Sequence, residues 1–112
     1  NQGRQPTMRK IEEQMNEAIR FCRNWAGGNT TVFTETDHSV VYLHGNLIAK
    51  IYRDAIQLFD GGWQSNTTKS RLNAILEEFG KPNEGVFQSD WKWYLQMSDY
   101  SSIPFFSGMR LN

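Results

Sequence analysis

From Met8 to Ala26 the apolar positions are Met8, Ile11, Met15, Ala18, Ile19, Cys22 and Ala26. Gaps of mostly three and four place them on one stripe of a helix, with charges on the other side. Thr7 is a suitable cap, and Gly27-Gly28 a suitable stop. Residues 1–6 are polar and expected to be loose. From Thr30 the period changes to two. Strands are predicted over 30–36, 39–43, 47–52 and 55–59, joined by Asp37-His38, His44-Gly45-Asn46 and Arg53-Asp54. Such spacing gives an antiparallel meander with one packed and one wet face.

A second helix is predicted over 68–79, with Leu72, Ile75, Leu76 and Phe79 inward and Gly80 and Pro82 closing it. A C-terminal hairpin follows: strand 85–88, turn Ser89-Asp90, strand 91–96. Alternation puts Trp91, Trp93 and Leu95 on its core face and Lys92, Tyr94 and Gln96 on the outer one. Residues 103–106 read as an edge strand, because Pro104 cannot donate to a central ladder. The whole is one α+β domain over 1–112, with no repeat, linker or low-complexity stretch.

Composition supports such a core. The apolar fraction is a modest 38%, but four Trp, four Tyr and seven Phe bring large buried areas. Twelve basic side chains balance twelve acidic ones, so no global field draws the chain to nucleic acid or an anionic membrane. By segment, the helices are slightly basic and the strands slightly acidic. The single Cys22 has no disulfide partner, and it is placed among the packing residues of the first helix. With no apolar run near the roughly 20 residues of a membrane span, no membrane partner is expected.

The segment from Gly61 to Asn73 gathers a glycine pair, Trp63, several hydroxyls and two cations at a helix start. A helix N-terminus carries bare amide hydrogens and partial positive charge, so Lys69 and Arg71 sit there against the dipole. An anion would account for them. Thr67, Thr68, Lys69, Ser70 and Arg71 would hold a phosphate, and Trp63 would stack on a base. The same residues also fit a plain capped helix, with the cations in water and Trp63 in the core. Phosphate-loop spacing of glycines is absent. Lys92 and Tyr94 form a second basic–aromatic pair, suited to RNA on a sheet surface or to a protein interface.

Nothing else points to chemistry. His38 and His44 fall in turns without a partner at catalytic or metal-ligand spacing. No serine has the hydrolase elbow, and Asp37, Asp54, Asp60 and Asp90 fall in turns, where Asp serves the backbone. No enzyme, cofactor or metal is expected.

Certain blocks recur in a familiar order. They are Leu43-His44-Gly45-Asn46-Leu47-Ile48-Ala49, Gly61-Gly62-Trp63, Thr67-Thr68-Lys69-Ser70-Arg71-Leu72-Asn73-Ala74, Glu78-Phe79-Gly80, Val86-Phe87-Gln88 and Trp93-Tyr94. Together, over residues 25–106, they resemble a family of small proteins encoded by tailed bacteriophages. The resemblance implies a phage source and a host bacterial cytoplasm, and supplies no catalytic or ligand residues. The first expectation is therefore a non-catalytic accessory module for single-stranded or structured nucleic acid, with its site at Trp63, Thr67, Thr68, Lys69, Ser70, Arg71, Lys92 and Tyr94. The alternative is an interaction module that binds a host protein or itself.

Overall fold

The computed structural model describes residues 8–112; the expected cap Thr7 and the segment 1–6, expected to be loose, lie outside the described residues. Helix α1 (Lys10–Arg20) buries Met15, Ala18 and Ile19. It is shorter than its apolar stripe suggests. The Arg23 amide donates to the Ala18 carbonyl at 2.9 Å and the Cys22 amide to that of Ile19 at 3.2 Å, a Schellman ending in which Cys22 takes φ 55. The chain thereby reverses into a strand. Cys22 is exposed rather than packed, and Ala26 belongs to β1 (Trp25–Gly27), because periodicity alone does not register where a helix is capped.

The meander follows as β2 (Thr30–Thr34), β3 (His38–Leu43), β4 (Asn46–Tyr52) and β5 (Ile56–Leu58). All neighbours are antiparallel. Two further strands, β1 and β9 (Met109–Leu111), extend this sheet to the order β1-β2-β3-β4-β5-β9. At three residues each, both are too short for alternation to announce them. The β3–β4 hairpin turns through His44 (φ 52) and Gly45 (φ 79), left-handed at both central positions as a two-residue turn requires.

Helix α2 (Asn66–Phe79) buries Thr68, Arg71, Leu72, Ala74, Ile75 and Leu76. Its Glu78, placed against the dipole in the last turn, pairs with Arg20 of α1. A second sheet, β6-β7-β8, comprises β6 (Gly85–Ser89), β7 (Lys92–Gln96) and β8 (Ser102–Pro104), with Pro104 on an edge strand. The predicted edge strand at 103–106 thus lies slightly earlier; Phe105 is buried and Phe106 is 60% exposed. The outer side of β6 is met by the Asn73 side chain, which donates to the Val86 carbonyl at 2.9 Å and accepts from the Val86 amide at 2.7 Å.

One hydrophobic core joins these layers. Met15 and Ile19 from α1, Leu72 and Ile75 from α2, Val41 and Leu58 from the large sheet, and Trp93 and Leu95 from the small one all belong to it. Both helices pack on one face of the large sheet, α1 against β2 and α2 against β4. Among the described residues no helix is long and apolar enough to cross a membrane.

Candidate functional site

The loop into α2 is built on Asp60. Its carboxylate accepts from the Gly62 amide at 2.8 Å and from the Gln64 side chain at 3.3 Å. Gly61 (φ 69) and Gly62 (φ 84) supply left-handed conformations that a side chain would strain. This turn throws Trp63 outward, 75% exposed. Ser65 caps the helix: its hydroxyl accepts from the Thr68 amide at 3.1 Å. The helix therefore begins at Asn66, and neither Thr67 nor Thr68 is the cap.

Only part of the expected phosphate cradle faces solvent. Thr67 lines a cleft of ≈ 400 Å³ with Trp63, His44, Asn46 and Asp60, and Lys69 is half-buried at the first turn. Thr68 is 3% exposed, and its hydroxyl donates back to the Trp63 carbonyl at 3.3 Å. Ser70 donates to the Glu12 carboxylate at 2.6 Å. Arg71 is also 3% exposed. Its guanidinium donates to Glu12 at 2.7 Å, to the Thr30 hydroxyl at 3.0 Å and to the Asn29 side chain at 3.1 Å.

The Arg71 fork is thus occupied by protein acceptors, and the expectation that it receives an external anion is corrected. The reason is helical spacing. Thr68, Arg71, Ile75 and Phe79 follow one another at three and four residues, with Leu72 beside Arg71, so Arg71 lies on the inward stripe. That signal is present in the sequence. The partner that makes burial tolerable, Glu12, lies 59 residues away and is 2% exposed. Glu12 also accepts from the Arg9 amide at 3.2 Å, closing the start of α1.

Lys92 and Tyr94 occupy a different place. Lys92 is exposed, and Tyr94 stacks on Phe87 with ring centroids 5.6 Å apart. Beside them, Gln64, Trp91, Trp93, Pro104 and Phe105 complete a groove of ≈ 330 Å³. Trp91 is not on the core face. Ser89 pairs with Lys92, so the turn is Asp90-Trp91, one residue later than predicted, with φ 51 and 67. The indole is 90% exposed. Trp93 and Leu95 do point inward, but Trp91 falls outside the alternation because it belongs to the turn. Trp63 lines one groove and the adjacent Gln64 the other, so the two grooves adjoin along this dipeptide.

A cleft of ≈ 500 Å³ lies between α1, α2 and β6, and among the described residues its charged lining consists of Glu12, Glu77 and Glu84. A phosphate is unwelcome there. Among the described residues no three His, Cys, Asp or Glu side chains are grouped to hold a metal ion.

A sequence profile of the Kyanoviridae Gp96 protein family matches residues 8–112, and the chain belongs to that family of phage proteins. No curated protein and no solved structure matches it.

Proposed function

We propose that this member of the Kyanoviridae Gp96 family is a non-catalytic binding module of the host bacterial cytoplasm that docks a host protein through the aromatic surface around Trp63 and Trp91. The observation that carries the reading is Trp91. Its left-handed backbone costs a non-glycine residue about 1–2 kcal/mol, and its indole gains almost nothing from burial. Glycine would serve that turn better. An indole held outward beside Tyr94 and Lys92, in a groove that adjoins the one lined by Trp63, suits a partner that buries it, since tryptophans are prominent among interface hot spots.

Charge favours protein over nucleic acid at this surface. In number, the cations Lys69 and Lys92 are balanced by the carboxylates Asp60 and Asp90 of the neighbouring turns, and Arg71 is bonded to Glu12. Single-stranded nucleic acid calls for cations in excess, whereas interface centres are depleted of charge.

The test is co-purification from nuclease-treated bacterial lysate with wild type, Trp63→Ser and Trp91→Gly. Wild type is expected to retain one host protein at both low and moderate salt, and each variant to lose it. Trp91→Gly is expected to unfold at the same or higher urea concentration, gaining up to about 1 kcal/mol, since relief of the left-handed strain is partly offset by glycine's freedom in the unfolded chain. Capture indifferent to both substitutions overturns the reading. So does sedimentation showing only self-association through this surface, or capture that disappears with nuclease.

A further inference from the structure

The large sheet has a second face, opposite the helices, and its register sorts the charges. Phe33 pairs with Val40, Val40 with Lys50, Lys50 with Gln57, and Gln57 with Arg110, one continuous row across five strands. At about 4.8 Å per strand the row runs about 19 Å. On the same face, two residues along the strands, lie Tyr42, His38 and Tyr52. Phe33 and Tyr42 meet edge to face at 5.8 Å, His38 stacks on Tyr52 at 4.6 Å, and the Arg110 guanidinium lies 5.0 Å from the Tyr52 ring centre.

No residue in the six strands of this sheet is Asp or Glu, and its only two cations, Lys50 and Arg110, both belong to the open face. The carboxylates that make this stretch acidic in sequence, Glu35, Asp37, Asp54 and Asp60, all lie in loops. Three of them, Glu35, Asp37 and Asp54, close one end of the sheet together with Arg53, and Asp37 is engaged by His38 at 2.6 Å. Among the described residues, the strands of a neutral chain therefore present one face with aromatic rings and two cations, and the nearest carboxylate, Asp37, is confined to the loop end against His38.

We propose that this open face binds single-stranded nucleic acid, with bases stacking on Phe33 and Tyr42 and phosphates taken by Lys50 and Arg110, while Tyr52, held between His38 and Arg110, fixes the arginine in place. Sheet-surface aromatics that receive unpaired bases are a general solution for single strands, since every base has a π-face. Charge complementarity selects the occupant: two cations without a carboxylate in the row match a polyanion. Duplex is disfavoured, because its bases are stacked away from the rings. The acidic loop end repels phosphate, so the strand lies along the Phe33–Arg110 row rather than along the β-strands. This site is separate from the Trp63–Trp91 surface and does not depend on it.

The probe is a fluorescein-labelled 12-mer of oligo(dT) or oligo(U), read by anisotropy from low to moderate KCl against a matched duplex. Two neutralised phosphates give a log–log salt slope of about −1.4, at about −0.7 each. Lys50→Gln with Arg110→Gln is expected to bring that slope near zero while circular dichroism stays native. Phe33→Ser is expected to weaken binding roughly 5- to 150-fold, the range for loss of one stacked base. Trp91→Gly is expected to leave it unchanged, which separates this proposal from the docking surface. Failure to bind either oligonucleotide, equal binding of duplex, a salt slope that survives the double substitution, or a host protein captured by this face instead would each overturn it.

Discussion

Arg71→Ala is expected to lower the unfolding free energy by about 3–5 kcal/mol, among the largest effects of any single substitution in this chain. The arginine itself contributes less than that figure suggests. Most of the loss comes from what it leaves behind: Glu12, 2% exposed, would keep a buried charge with, among the described residues, only Ser70 and the Arg9 amide to satisfy it. Thr30 and Asn29 would lose their donor as well. Replacing both members together, Glu12→Leu with Arg71→Met, is expected to cost far less than either alone, because no uncompensated charge remains. Urea denaturation of the two singles and the double measures the coupling directly. Arg71→Ala costing less than about 1 kcal/mol would mean that the pair is solvated and the guanidinium free for an external anion after all.

Trp93→Ala is expected to cost about 3–5 kcal/mol. The indole is 4% exposed and meets Phe105 edge to face at 5.3 Å, in the core that ties β6-β7-β8 to the large sheet. Its removal leaves a cavity that neighbours on two separate sheets cannot both move to fill. Trp93→Phe keeps much of the volume and is expected to lose appreciably less. Hydrogen exchange gives a further readout, with amides of the small sheet expected to lose protection before those of β3 and β4. If Trp93→Ala unfolds at the wild-type midpoint, the small sheet does not draw its stability from that indole.

Three tryptophans illustrate what local pattern can and cannot assign. Trp93 is correctly inward from alternation with Leu95. Trp91, two residues earlier in the same alternation, is 90% exposed because the turn begins one residue later than the sequence suggests. Trp63 stands out in sequence after a glycine pair, but whether it is core or surface depends on the Asp60 turn, and that is seen only in three dimensions. The candidate site suffered in the same way. Hydroxyls and cations crowd the start of α2 in sequence, yet the helix rotates Thr68 and Arg71 inward, while Ser70 bonds to Glu12.

The amino-acid sequence by itself determined the two helices, the four-strand meander and the inward side chains of most elements, because these follow from periodicities of 3.6 and two within a few residues. Tertiary structure decided the rest. It added β1 and β9, which exist only because a neighbouring strand offers hydrogen bonds. It gave Arg71 a buried partner 59 residues away. It also gathered Phe33, Lys50 and Arg110 onto one face, clear of Glu35 and Asp54, which lie close to the first two in sequence. Electrostatic pairing and strand register join residues distant along the chain, and only the folded geometry brings them together.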